Sequence, residues 1–331
     1  MPKNGTLQDQ QKRFPIAFSI GVLLCTILVA IWREAQSYSM SDLYPLYYGG
    51  LAWRQSGNAY QLKPVVPEST YEDPILAIGN GYPLPAVLLL LPFTYLPAKI
   101  ASIVWISLLT AGVLIALRIN RLPYYICLYL PIADGIRLEQ YAILVVALQF
   151  IALWAYRERR YWILAVCCTL ILTKPSQGLI FVLALLLLTR KWQRFFIVST
   201  VVWGGSMLLD PKWVGEWLAA LPTYLAASQT VAPWAIIILA IPLLLIKDYI
   251  SAALIAQLAL FPHQTTYTSA AVPLGVIHDK RSKWLIPLSY LWPIAAYYLS
   301  KIWGTALCFA LPAVLLSILR WLEQAYNPGQ K

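Results

Sequence analysis

Tyr82-Pro-Leu-Pro-Ala-Val-Leu-Leu-Leu-Leu-Pro-Phe-Thr-Tyr-Leu-Pro97 is the stretch on which the organisation of this chain turns. It is apolar but only 16 residues long, with prolines at 83, 85, 92 and 97. A helix needs about 20 apolar residues to cross a hydrocarbon core of about 30 Å. Proline also breaks backbone hydrogen bonds, which lipid tolerates only where protein or water covers the gap. The segment 83–97 is therefore expected to dip in and return, as a re-entrant or interfacial helix.

The basic clusters support that expectation. Arg118-Ile-Asn-Arg121, Arg157-Glu-Arg-Arg160, Arg190-Lys-Trp-Gln-Arg194 and His278-Asp-Lys-Arg-Ser-Lys283 punctuate the apolar runs that follow. All four fall on the cytoplasmic side, where positive charge collects, only if 83–97 does not cross. Upstream, residues 1–13 are polar and include Lys3, Lys12 and Arg13, and Phe14–Trp32 reads as an uncleaved spanning anchor. The next true crossing is expected at about Ile100–Leu117.

Composition agrees. Of 331 residues, 60% are hydrophobic and 12% charged, far from the balance of a soluble domain. The 14 Trp and 21 Tyr suit the lipid–water boundary, and the net charge of +11 is explained by cytoplasmic loops without invoking nucleic acid. The expected fold is an all-α polytopic membrane protein of about 10–12 spanning helices. It forms one transmembrane domain over 1–331 with both termini cytoplasmic. Residues 33–82 make a long first extracytoplasmic loop, and 210–232 a second large one. The five cysteines lie in apolar runs without a CxxC pair or a His/Cys cluster, so no metal site is expected. No Walker motif, GxGxxG or HExxH is present.

Ionisable residues beside a membrane domain are functional candidates by default. Asp42, in Ser41-Asp-Leu-Tyr44-Pro-Leu-Tyr47-Tyr48-Gly-Gly50, stands at the outer face among tyrosines. Partial desolvation there would suit a general base toward an acceptor hydroxyl; a helix N-cap is the plainer alternative. Lys174, before Pro175 at the outer face, runs against the positive-inside bias. It is either a point charge for a lipid-linked phosphate or a lysine snorkelling to the headgroups. Arg137, Glu139 and Gln140 form another outer polar cluster, in which Arg137 pairs with Glu139 or holds phosphate. His263, in Phe261-Pro-His-Gln-Thr-Thr-Tyr267, is structural unless it converges with another polar loop. Asp210 and Glu216 look too far apart for a metal site, and the nearby Trp213 and Trp217 look interfacial.

The order of these features resembles the GT-C class of membrane glycosyltransferases, specifically glycosyltransferase family 87. Asp42 to Gly50, with Gly57-Asn-Ala-Tyr60 after it, is similar to that family's first-loop pattern, with Ala59 where Pro is usual. Tyr82-Pro-Leu-Pro85 resembles its Tyr-Pro-Pro helix, with Leu84 replacing the second Pro. Arg137-Leu-Glu-Gln140 resembles its Gly-Gln element, with Glu139 for Gly; Thr173-Lys-Pro175 resembles its Lys-Pro element. Pro262-His263 with Tyr267 resembles a late outer-loop motif. The resemblance spans roughly residues 15–280, and the acceptor-side region after 280 is expected to be reduced.

The resemblance implies an inverting transferase in a bacterial-type plasma membrane with an extracytoplasmic active site. The donor would be a polyprenyl-phosphate sugar, typically mannose, and the acceptor a lipid or glycan. Asp42 would be the catalytic base, assisted by His263, with Lys174 and Arg137 on the donor phosphate. Tyr44, Tyr47, Tyr48, Gln140, Tyr82 and Tyr267 would line the substrate groove. No cofactor is implied. A transporter or flippase for lipid-linked saccharides is the alternative, but it should show repeated halves and mid-helix charges. The Asp42→Asn variant is expected to keep its fold and donor binding while losing turnover in a transfer assay. Equal turnover by both proteins would remove Asp42 from catalysis.

Overall fold

The computed structural model describes residues 16–35, 43–62, 80–227, 234–261 and 266–326. Among them there is no strand. The first half comprises α1 (Ile16–Ala35), α2 (Tyr44–Ser56), α3 (Leu84–Tyr95), α4 (Ala98–Ile119), α5 (Leu130–Arg137), α6 (Tyr141–Arg157), α7 (Tyr161–Ile171) and α8 (Pro175–Thr189). Next, α9 (Trp192–Ser199) runs through a π turn into α10 (Gly205–Leu209), followed by α11 (Trp213–Ala227), α12 (Trp234–Leu245) and α13 (Tyr249–Leu260). Short 3-10 turns then lead to α14 (Leu285–Ser289), α15 (Trp292–Leu299) and α16 (Lys301–Tyr326).

Among the described residues, two helices, α4 and α16, are by length and composition apolar enough to cross a membrane alone. Shorter apolar helices of 10–17 residues would need their connections to add length in order to cross. Large apolar side chains such as Leu28, Leu208 and Tyr297 lie exposed on the outside of the bundle. Water would penalise such a surface, whereas lipid would not. The expected anchor at Phe14–Trp32 corresponds to α1, and the expected crossing at Ile100–Leu117 to α4.

Hydrogen bonds and ring contacts sort the bundle into two polar ends. At one, Arg157 Nη1 lies 2.6 Å from His278 Nε2, and Arg194 covers the Tyr161 ring at 5.5 Å. Neighbouring Arg320 donates to Gly275 O at 3.1 Å and to Asp248 Oδ2 at 2.9 Å. Burial and the charges of Arg157 and Arg320 hold the His278 pKa down at about 4, so the ring is neutral at pH 7. Three of the four basic clusters meet here. α4 carries the fourth in the same direction, ending where Asn120 Nδ2 donates to Phe150 O at 2.8 Å.

Lys174, Tyr82 and Tyr267 mark the other end. Twelve residues of α3 rise only about 20 Å, short of a crossing. α2 lies along it: Tyr47 Oη donates to Leu96 O at 2.8 Å, and Arg54 Nη1 to Thr94 O at 3.0 Å. The stretch 210–232, expected as a loop, is largely the helix α11. Glu216 in its first turn complements the helix dipole, and Trp213 at its start is buried. Trp217 Nε1 donates to Gly81 O at 3.0 Å, and the Tyr224 ring covers Gly81 so closely that a Cβ there would lie 2.6 Å from it. Gly81→Ala is therefore expected to loosen α11, at a cost of about 1–3 kcal/mol. Thermal unfolding in detergent checks this, with Gly57→Ala unsuited as a control because Gly57 has φ +74°.

Candidate functional site

α7 ends in a tight turn in which Thr173 N and Lys174 N donate to Leu170 O and Ile171 O, both at 3.1 Å. Pro175 opens α8 at a position where its missing N–H costs nothing, leaving Lys174 as the N-cap. The lysine side chain runs between two tyrosines from distant parts of the chain. Its Nζ donates to Tyr82 Oη at 3.2 Å and stands 5.3 Å from the Tyr82 ring centre and 5.5 Å from that of Tyr267. Cation–π contacts of this kind stabilise an ammonium by about 0.5–2 kcal/mol.

Behind this cation is an aromatic wall. Tyr82 meets Tyr141 edge-on at 5.5 Å, Tyr141 stacks on Trp105 at 6.2 Å, and Phe93 closes on Trp105 at 5.6 Å. Each polar atom in the wall has a partner. Tyr141 Oη pairs with Thr173 Oγ1 at 2.7 Å, and Trp105 Nε1 donates to Glu139 O at 3.0 Å. Asn80 sets the approach of Tyr82: its Oδ1 accepts from Tyr82 N at 3.1 Å while Nδ2 donates to Ala59 O at 3.4 Å. One asparagine thereby ties the first-loop segment to the site.

Glu139 is fully buried, with Ser102 Oγ donating to its Oε1 at 2.5 Å. Its φ is +57°, the left-handed conformation that commonly ends a helix and favours glycine. A Gly-Gln element is the natural occupant of that turn, and here glutamate accepts the strain. Arg137 does not pair with Glu139. Its guanidinium is turned onto Asp134 Oδ1, at 2.8 and 3.1 Å, and Asp134 Oδ2 accepts in turn from Thr266 Oγ1. Arg137, expected at the donor phosphate, is thus an exposed rim cation shared with a carboxylate, joined to Tyr267 through its neighbour Thr266.

Tyr44, Tyr47 and Tyr48, expected in the groove, contact one another on α2, with ring centres 5.9 Å apart for Tyr44–Tyr48 and 5.3 Å for Tyr47–Tyr48. Tyr47 and Tyr48 are buried and fasten α2 to α3. Gln140 is buried as the N-cap of α6, its Nε2 without a partner among the described residues. Asp42 and His263 lie outside the described residues. Leu43, next to Asp42, is buried at the start of α2. Asp210 and Glu216, expected to lie apart, share each other's field. Burial and then Asp210 raise the Glu216 pKa, and burial, Glu216 and Asp210 raise that of the Tyr60 hydroxyl. Among the described residues no group of three or more His, Cys, Asp or Glu is placed to hold a metal.

Sequence reasoning missed the roles of Asp134, Tyr141 and Trp105, and quoted Thr173 only as part of the Lys-Pro element. Nothing in the spacing of the first three announces them; only the packing of α4, α6 and the α7–α8 turn brings them together.

The profile of glycosyltransferase family 87 matches residues 81–330, so it takes in Tyr82, the Lys174 turn and the region after 280. The chain belongs to glycosyltransferase family 87. It is a membrane glycosyltransferase, and the transporter alternative is set aside. No curated protein and no solved structure matches the chain.

Two substitutions separate backbone strain from the buried charge. Ser102→Ala deprives the buried Glu139 carboxyl of one donor and is expected to cost about 1–3 kcal/mol. Glu139→Gly removes both the carboxyl and the strain and is expected to stay within about 1 kcal/mol of the parent. Thermal unfolding of both variants tests the ranking, which a neutral Ser102→Ala would reverse.

Proposed function

We propose that this glycosyltransferase moves a sugar, mannose foremost, with inversion from a polyprenyl-phosphate donor to a lipid or glycan acceptor at the extracytoplasmic membrane face. The observation that carries this is the setting of Lys174. An ammonium at the N-terminus of a 15-residue apolar helix, between two tyrosine faces, is suited to a phosphate whose lipid tail lies among helices. Negative charge grows on the leaving phosphate during transfer, so a fixed cation there stabilises the transition state more than the ground state.

Arg137 adds a second cation at the rim. Gln140, Tyr82 and Tyr267 shape the floor, and Tyr44, Tyr47 and Tyr48 support the neighbouring α2–α3 wall. Asp42, just before α2, takes the acceptor proton as the single base that an inverting displacement needs, and His263, just after α13, assists. The phosphate leaves without protonation. The four basic clusters gathered at the opposite end support a cytoplasmic placement for that end, and hence an extracytoplasmic site. Both termini then lie in the cytoplasm of a multi-pass plasma-membrane protein.

Purified protein supplied with polyprenyl-phosphate mannose and lipid acceptors is expected to transfer the sugar. Lys174→Met should weaken donor binding about 10- to 100-fold, the worth of a charged hydrogen bond, and leave binding of an uncharged polyprenol unchanged. Unchanged donor affinity would assign Lys174 to snorkelling and remove the phosphate from this position.

A further inference from the structure

Gln257 lies in the last turn of the apolar helix α13, a costly place for a buried amide unless its bonds are all made. It is 4% exposed. Its Oε1 accepts from Ile180 N at 2.6 Å, while its Nε2 donates to Ser176 O at 2.8 Å and lies 3.4 Å from Pro175 O. Ser176 and Ile180 are four residues apart, the pair that a regular helix would bond directly. One side chain from another helix therefore bridges the first turn of α8, directly after Lys174. A second amide works from the other side, where Gln149 Nε2 donates to Gln177 O at 2.9 Å.

The same chain segment holds the other end of the lysine. Ten residues after Gln257, Tyr267 lays its ring on the ammonium. The backbone that carries Lys174 and the face that receives its charge are thus both set by the stretch that begins in α13. A lysine has four rotatable bonds, so placing its ammonium depends on fixing where its backbone starts.

We propose that Gln257 is a positioning residue for donor binding, acting through Lys174, and this rests on the phosphate role assigned to Lys174 above. Gln257 touches no substrate; it holds the turn from which Lys174 reaches the donor phosphate. In Gln257→Leu the bonds from α13 to this turn are lost, so the start of α8 is free to shift and Lys174 shifts with it.

A double-mutant cycle on the full chain tests this, using Gln257→Leu, Lys174→Met and the pair, with transfer from polyprenyl-phosphate mannose as the readout. Gln257→Leu is expected to raise the donor KM about three- to tenfold with kcat changed less than twofold. In the Lys174→Met background it should change the donor KM by less than twofold. Gln257→Glu, which keeps the acceptor for Ile180 and loses the donor to Ser176, covers the case in which the leucine variant does not fold, and is expected to raise the donor KM likewise. Equal KM effects of Gln257→Leu with and without Lys174, or an unchanged KM in a folded variant, would overturn the positioning role. A Lys174→Met variant with parental KM would instead overturn the phosphate assignment itself, so the two failures are distinct.

Discussion

A single ammonium held at the mouth of an apolar bundle is the constraint around which the described part of this protein is arranged. Charge near lipid is expensive, and the chain offsets that cost with the oxygen and ring of Tyr82, the ring of Tyr267 and the turn that ends α7. These groups come from three separate regions of sequence. Each must be fixed before the lysine has a defined place. Asn80, Gly81 and Trp217 fix Tyr82, and the Asp134–Thr266 contact fixes the approach of Tyr267.

Two polar groups deep in the bundle follow the same rule. Glu139 is tolerated because Ser102 donates to it, and Gln257 because the first turn of α8 uses both ends of its amide. Fully satisfied amides in a low-dielectric interior are stiff connections, since breaking one strands a donor or acceptor where water cannot reach it. The bundle combines a greasy exterior, permissive of lateral adjustment, with a rigid polar end. That division suits a membrane transferase whose reacting atoms need exact placement.

The opposite end obeys simpler electrostatics. Arginines dominate it, some neutralised by Asp248, Asp279 and Glu323, and His278 is kept neutral by burial and by the cations around it. The two ends differ because the site end was assembled to hold one charge in a dry setting, while the basic end spreads many charges toward water.

Fold class, the gathering of basic clusters and the interest of Lys174, Tyr82 and Tyr267 were all legible along the chain, because hydropathy, charge and proline placement act locally. Length alone makes 83–97 short for a crossing as a straight helix. Within the 210–232 connection, Trp213–Ala227 forms a helix whose Trp217 bonds Gly81, a contact with a distant segment that the sequence does not announce. Arg137 turns onto Asp134, one helical turn earlier, and not onto Glu139, whose left-handed backbone turns it inward. Sequence by itself determined which segments are apolar and which residue types stand at their ends. Only the tertiary structure decided which of those ends meet, since contacts between Tyr82, Lys174 and Tyr267 are made by helices packing at angles and depths that no local pattern encodes.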